Sequence, residues 1–210
     1  MSKRIFASNT HPIKRSTTLN RRSMLKAAAG ASAFALALPA QSAGDEPSIQ
    51  GTQAPELNVP RWIDAKGEDT SAFSVAAHRG KWVYLKCFQD WCPSCHSVGF
   101  PNLQKLKAAF PNDDKVAAAV IQTTFEGHSR NTFDALRKNQ QRYELSLPFG
   151  HDPGDEGLPR DNPGHYPNTM LSYRTRGTPW VTLIDPNGTV VFSDFHVDMD
   201  RLIPLLKANT

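Results

Sequence analysis

Two cysteines separated by two residues, Cys92 and Cys95, are the side chains of this sequence best suited to chemistry. A thiol attacks a disulfide as its thiolate, and a helix start favours the thiolate through unpaired backbone N–H groups and the helix dipole. Pro93 suits such a start because its missing N–H costs nothing there. Cys95 then lies one turn further on the same face. The spacing predicts thiol–disulfide exchange, with Cys92 as the attacking thiol and Cys95 as the resolving thiol.

The third cysteine and a neighbouring histidine carry weaker signals. Cys87 ends an apolar run, where a free cysteine usually packs as a small apolar residue. His96 follows the pair and either supports the thiolate or is an exposed helix histidine. A structural zinc site needs four ligands, usually in two clusters, and the chain has only one Cys-x-x-Cys pair. We therefore predict no metal site and no cofactor.

The elements that must hold the pair follow from the hydrophobic pattern. Trp82–Phe88 is rich in β-forming residues and predicts a buried central strand that ends just before the pair. The following helix should be kinked or interrupted at Pro101. The other expected elements are an edge strand within Leu57–Ile63, a strand at Val116–Thr123, a helix at Thr132–Tyr143, an extended piece at Leu147–Phe149, a short helix at Asn168–Tyr173, a hairpin of Trp180–Ile184 and Thr189–Phe192, and a helix at Met199–Lys207 capped by Asp198.

This order of elements predicts an α/β fold, a sandwich in which one central mixed β-sheet has helices on both faces. Between the central elements and the hairpin, Gly150–Asn168 is rich in proline, glycine, aspartate and histidine, and predicts a long loop. Loops of this length are usually functional or mobile. The loop either covers a substrate groove or is a surface elaboration.

The N-terminal segment has the composition of an export signal. Asn20–Lys26 contains the pair Arg21-Arg22 and resembles the twin-arginine export motif, and a short apolar stretch, Ala27–Leu38, follows it. Small residues just after this stretch suit cleavage. We predict a twin-arginine signal peptide over residues 1–42, a linker over 43–50 and one domain over 51–210. An uncleaved signal would instead anchor the protein in the membrane.

The charge of the remainder argues against nucleic acid as a partner. Residues 1–42 hold seven basic residues and no acid, so 17 basic residues face 20 acidic ones in the rest, a net charge of about −3. The predicted location is the periplasm or another exported site, where disulfides persist.

Several segments together resemble the TlpA/ResA-like branch of the thioredoxin superfamily. Phe88–Cys95 resembles the active-site segment of that branch, and Gly177–Pro179 with the following Val181–Gly188 also resembles the branch. Gly51–Pro55 and Arg79–Lys81 also fit, so the resemblance covers most of residues 51–210.

The resemblance implies a thioredoxin-like sandwich and assigns further residues to the site. It implies a cis peptide bond between Thr178 and Pro179 that faces the cysteine pair. In the family this loop offers backbone groups to an extended substrate segment, which is strand addition. Trp91, Thr178 and Pro179 are accordingly expected to bind substrate.

One position departs from the pattern of the superfamily. Cytosolic thioredoxins carry a buried acid six residues before the first active cysteine, and this chain carries Lys86 there. A cation near the pair would stabilise a thiolate, and a desolvated, neutral lysine would act as a base. The alternative is a lysine that simply extends from the strand end to solvent.

The resemblance favours a reductase that acts on the disulfides of other exported proteins and receives electrons from a membrane partner. The Pro93-Ser94 dipeptide does not by itself set the direction. A peroxiredoxin-like peroxidase is a rival because it shares the fold, but it needs threonine where this chain has Gln89. A copper carrier that uses the two thiolates with His196 is a second rival. The usual motif of such copper carriers has three residues between the cysteines, whereas this chain has two.

Overall fold

The computed structural model of the protein describes residues 48–112 and 114–209. The predicted signal peptide and residues 43–47 of the predicted linker lie outside this range. The last part of that linker is packed, because Ile49 is buried and the side-chain amide of Gln50 donates to the carbonyl of Val191 at 3.1 Å. In the described residues no helix is long and apolar enough to cross a membrane.

One mixed sheet of seven strands passes through the domain. The strands are β1 Arg61–Ile63, β2 Asp69–Thr70, β3 Trp82–Phe88, β4 Val116–Thr124, β5 Phe149–Pro153, β6 Trp180–Ile184 and β7 Val190–Asp194. They lie in the order β2-β1-β5-β4-β3-β6-β7. β3, β4 and β5 are parallel, and the other neighbours are antiparallel. Every residue of β3 and β4 is buried, as expected of parallel strands covered on both faces.

The described helices lie on both faces of this sheet, so the predicted α/β sandwich is confirmed. They are α1 Phe100–Ala109, α2 Phe133–Arg142, α3 Asn168–Ser172 and α4 Met199–Ala208. Side chains of α1, α2 and α4 pack with alternate residues of β3, including Tyr84 and Phe88. The other residues of β3 pack with the N-terminal segment and with Tyr173 at the end of α3.

Local capping and turn signals predicted several boundaries correctly. The Thr132 hydroxyl accepts from the N–H of Ala135 and begins α2, and the Asp198 carboxylate accepts from two N–H groups at the start of α4. The predicted hairpin is present, with β6 and β7 joined through a turn at Asp185–Gly188.

The first predicted strand is shorter than expected and is not at the edge. Only Arg61–Ile63 of Leu57–Ile63 forms a strand, since Pro60 has no N–H to donate to a neighbour. After Ile63 the chain turns back and forms the two-residue strand β2, which pairs with β1 at the edge of the sheet. Leu57 and Val59 still contribute to the core as buried side chains.

The long loop predicted at Gly150–Asn168 is wrong in its first part. Gly150 to Pro153 belong to β5, which pairs in parallel with β4, and Pro163–His165 forms a short 3-10 turn. Both carboxylate oxygens of Asp152 accept backbone N–H groups at the start of α3, with 2.7 Å to Thr169. Strand structure arises here from pairing with β4, because glycine, histidine and aspartate have little strand preference of their own.

Gly150 supplies a stability test, because its missing side chain makes room for neighbours. A Cβ there would lie 2.9 Å from the Trp62 ring and from Cγ1 of Val59. We expect Gly150→Ala to lower the free energy of unfolding by about 1–3 kcal/mol through overpacking. Urea unfolding measures this, and Gly157→Ala in an exposed turn is the control, expected within about 0.5 kcal/mol of wild type. Equal unfolding free energies for the two variants would contradict the packing described.

Candidate functional site

The two cysteines form a disulfide at the start of the helical run that follows β3. Helical backbone begins at Pro93 and passes through a π-helical turn, Cys95–Gly99, into α1. The N–H of Phe100 closes this wide turn on the carbonyl of Cys95. Pro101 follows immediately, and its ring crowds the preceding turn while offering no N–H. The predicted interruption at Pro101 therefore takes the form of a π turn, a feature common at functional sites.

The two sulfurs occupy different environments. Cys92 is 4% exposed and Cys95 is 0% exposed, so an incoming disulfide reaches the Cys92 side of the pair. The N–H of Cys95 donates to Sγ of Cys92 at 3.2 Å. A hydrogen bond to sulfur favours its ionised form once the disulfide is open. These features fit an attacking Cys92 and a resolving Cys95.

The turn between β3 and Cys92 is held through three atoms of Asp90. Its N–H donates to Oδ1 of Asn131 at 2.6 Å, and its carboxylate accepts from Nδ2 of Asn139 at 2.8 Å. Its carbonyl oxygen accepts from the His96 ring. Asn139 lies on α2 and Asn131 just before it, so this helix region positions the turn that carries Cys92.

His96 connects the active helix to α2. Nε2 donates to the Asp90 carbonyl, which can only accept, and Nδ1 forms a hydrogen bond with the Tyr143 hydroxyl at 2.7 Å. The ring also stacks against Tyr143 and Phe100. His96 is half-buried, so the exposed alternative is wrong, and both ring nitrogens bind groups other than sulfur. Direct support of the thiolate stays a prediction.

The structure places Trp91 beside Gly127, and it places Pro179, at the cis bond before β6, beside Gly99. Trp91 is 36% exposed, and its ring lies against Gly127, where a Cβ would be 3.2 Å away. The Thr178–Pro179 bond is cis. Pro179 is buried, and its Cβ is 3.5 Å from the position of a Cβ on Gly99. Pro179 therefore lies beside the helix that carries the cysteine pair.

Lys86 is enclosed behind the active helix. It is 0% exposed, and its Nζ has no hydrogen-bond partner. A side chain on Gly99 would overlap with Nζ, and Nζ lies 5.4 Å from the centre of the Phe100 ring. Burial lowers the pKa of Lys86 to about 8. The alternative of a lysine that extends to solvent is therefore wrong.

Cys87 lies on the other face of the sheet, because neighbouring strand residues point to opposite sides. It is a buried free cysteine, as predicted. Burial raises the pKa of its thiol to about 12, and the nearby Asp152 adds to this. The thiol is therefore protonated at neutral pH and packs as a small apolar group.

The residues named for the peroxidase and copper-carrier alternatives lie in different environments. Gln89, where a peroxiredoxin needs threonine, is buried, and its amide donates to the Thr123 carbonyl at 3.1 Å. His196 is exposed after β7. Across residues 48–112 and 114–209, no three His, Cys, Asp or Glu side chains stand together in a way that could hold a metal ion.

Sequence reasoning missed the residues that position the site from a distance. Asn131 and Asn139 bond to a turn about 40–50 residues earlier, and no local pattern indicates that contact. Gly99 gave a signal, because glycine inside a helix lowers its stability and often has a packing reason. That reason is the space taken by Lys86.

The chain is similar to several solved structures. It is 33% identical to a thioredoxin-like superfamily protein, with a TM-score of 0.63, covering 74% of this chain and 94% of that one. A thiol-disulfide isomerase from Corynebacterium glutamicum is 29% identical over the same shares, with a TM-score of 0.62. A thiol-disulfide oxidoreductase from Bacteroides fragilis is 19% identical, covering 76% of this chain and all of that one, with a TM-score of 0.53, which supports the fold alone. No protein-family model and no curated protein matches the chain.

The buried ammonium of Lys86 predicts a pH-dependent stability. Between its pKa of about 8 and the ordinary value of 10.5, the unfolded chain binds more protons than the folded one, so stability rises with pH. Below pH 8 the full penalty is present. We expect Lys86→Met to raise the free energy of unfolding at pH 7 by about 1–3 kcal/mol, with a gain that shrinks towards pH 10.

Urea unfolding of the oxidised protein at pH 7, 8.5 and 10 measures this difference. Lys105→Met makes the same change at an exposed position of α1 and is the matched control, expected to leave stability almost unchanged. A Lys86→Met protein that is less stable than wild type at pH 7 would contradict the unpartnered ammonium.

Proposed function

The chain belongs to the thioredoxin-like superfamily, and from this premise we propose that it is an exported thiol–disulfide oxidoreductase that reduces disulfides in other exported proteins. The single observation that carries the proposal is the Cys92–Cys95 disulfide at a helix start, with the Cys95 N–H on the Cys92 sulfur. The similar structure named a thiol-disulfide isomerase supports redox chemistry on protein thiols in general.

The reaction needs only the sulfurs of the chain and of its substrate. The Cys92 thiolate attacks one sulfur of a substrate disulfide, the substrate S–S bond breaks, and the other sulfur leaves as a thiolate. The sulfur of Cys95 then attacks Sγ of Cys92 and releases the second substrate sulfur. The substrate gains two electrons, and the protein is left with the Cys92–Cys95 disulfide.

Substrate selection is proposed to rest on Trp91, Thr178 and Pro179. Trp91 is a partly exposed aromatic surface next to Cys92, and Thr178 precedes the cis bond beside the active helix. An extended substrate segment that pairs with the backbone of Thr178 would be recognised by main chain more than by sequence. This mode suits an enzyme with several protein substrates.

The TlpA/ResA-like type, the location and the electron donor are further parts of the proposal. The twin-arginine motif in residues 1–42 supports export to the periplasm, with a membrane anchor if the signal is retained. A reductase in an oxidising compartment must be re-reduced after each turnover. A membrane protein with an accessible dithiol is the proposed donor.

Replacement of each cysteine tests the exchange. We expect Cys92→Ser to abolish reduction of insulin disulfides, because the attacking thiol is lost. We expect Cys95→Ser to accumulate a mixed disulfide at Cys92 that gel electrophoresis without reductant detects. Cys87→Ala, which removes the buried thiol on the opposite face, is the matched control and should retain activity. Wild-type activity in either of the first two variants would refute the proposed function.

The direction of electron flow is tested by the reduction potential of the pair. A reductase requires a potential nearer to about −270 mV than to about −120 mV, the values of a thioredoxin and of a strong oxidant respectively. Equilibration of the protein with glutathione buffers, followed by thiol alkylation, measures it. A potential at the oxidising end would make the enzyme an oxidase and leave the site assignment intact.

A further inference from the structure

We propose that His96 is a positioning residue that keeps the two cysteine sulfurs aligned after the disulfide opens; this inference rests on the proposed function. The observation behind it is the hydrogen bond from Nε2 of His96 to the carbonyl oxygen of Asp90, two residues that are six positions apart. Cys92 and Cys95 both lie between them in the chain. The His96–Asp90 bond therefore joins the two ends of the segment that carries the redox pair.

The bonded carbonyl belongs to the central peptide of the turn before Cys92. The N–H of Cys92 donates to the carbonyl of Gln89 at 3.1 Å, which puts Asp90 and Trp91 at the two central positions of this turn. The two common forms of such a turn differ by a flip of the central peptide, and the flipped form needs a positive φ at the third residue. Trp91 does not have a positive φ. The His96–Asp90 bond holds the peptide in this unflipped orientation.

The histidine ring is itself held from the side opposite Asp90. Its Nδ1 is bonded to the Tyr143 hydroxyl at 2.7 Å, and the ring packs against Phe100 and Tyr143. Tyr143 is held in turn, because its carbonyl accepts from Nε2 of Gln104 at 2.9 Å and its ring stacks on Phe100. Nε2 of His96 therefore meets the Asp90 carbonyl in an orientation that α1 and the end of α2 have already fixed.

The His96–Asp90 bond differs from the other bonds of this turn in what it connects. The N–H and the carboxylate of Asp90 are bonded to Asn131 and Asn139, so they hold the turn to the region of α2. The carbonyl is bonded to the residue that directly follows Cys95. Movement of the turn relative to the helix that carries Cys95 is therefore opposed by the His96–Asp90 bond.

This bond matters most when the two sulfurs are no longer linked. Its donor and acceptor are a ring nitrogen and a carbonyl oxygen, so opening of the disulfide removes neither of them. In the mixed disulfide, the Cys95 sulfur must meet Sγ of Cys92 before the substrate can leave. An intramolecular attack is fastest when the reacting atoms are already held close together. Alignment by His96 thus raises the effective concentration of Cys95 at the mixed disulfide.

The test follows the two sulfur steps with a chromogenic disulfide, 5,5′-dithiobis(2-nitrobenzoate), and fully reduced protein at pH 7. Attack by Cys92 releases a first equivalent of coloured thiolate, attack by Cys95 releases a second, and stopped-flow absorbance separates the two phases. The variants are His96→Gln, whose amide nitrogen reaches the place of Nε2, and His96→Asn, whose amide nitrogen reaches only the place of Nδ1. Ser97→Asn, at the exposed next position of the same helical turn, is the control.

We expect His96→Asn to slow the second phase about tenfold and to leave the first within about twofold of wild type, because alignment of the two sulfurs is what is lost. His96→Gln should keep the second phase within about threefold of wild type, because the donor to Asp90 remains. Tyr143→Phe, which removes the hydroxyl but keeps the ring, should slow the second phase about threefold. Ser97→Asn should change neither phase.

The reduction potential gives a readout that a general loss of stability does not move. A tenfold lower effective concentration makes the disulfide easier to open, so equilibration of His96→Asn with glutathione should give a potential about 30 mV less negative than that of wild type.

An unchanged second phase and potential in His96→Asn, or equal slowing in His96→Gln and His96→Asn, would overturn the inference. If circular dichroism shows that His96→Asn does not fold, an unchanged second phase in Tyr143→Phe would overturn it instead. A wild-type protein that releases no second equivalent would contradict the proposed function.

Discussion

The Cys92 sulfur is carried by a turn whose position depends on hydrogen bonds from elsewhere in the chain. The N–H, carbonyl and carboxylate of Asp90 are each bonded, to Asn131, His96 and Asn139. Two of these partners come from the region that begins and forms α2, the helix that connects β4 to β5. The segment that connects β4 to β5 therefore also holds the turn that precedes Cys92. Supporting contacts of this kind hold reactive groups in place.

The alternation of side chains along β3 gives two neighbouring residues opposite environments. Lys86 points to the face with the active helix, where Gly99 leaves space for its nitrogen. Cys87 points to the other face, where burial and Asp152 keep its thiol protonated. One central strand thus places a basic group against the helix that carries the redox pair and keeps the third sulfur on the opposite face of the sheet. The disulfide joins Cys92 to Cys95 and excludes Cys87 for two reasons. The pair is closely spaced in sequence, and the strand geometry keeps Cys87 on the other face of the sheet.

Features with local causes could be predicted from the sequence. The apolar run of β3, the turn chemistry between β6 and β7 and the Asp198 cap each contain their own signal. Of β5 only the extended Phe149 was predicted, because the strand structure of Gly150 to Pro153 comes from pairing with β4. The same division holds in the site. The cysteine pair is evident from spacing, whereas the bond from Asp90 to Asn131 joins residues distant in sequence, and the burial of Lys86 depends on a glycine in another element.

A side chain at position 99 would meet the end of the Lys86 side chain, so the lysine nitrogen would have to move to another position. The residue at position 86 or 99 therefore influences which residues the other position accepts as the sequence diverges. Descendants of this chain that exchange the lysine for a shorter residue gain freedom to place alanine or serine in the helix. Those that retain the lysine nitrogen in its present position favour glycine there. The residues at the two positions are thus coupled by volume, and the lysine favours the retention of a glycine that weakens the helix.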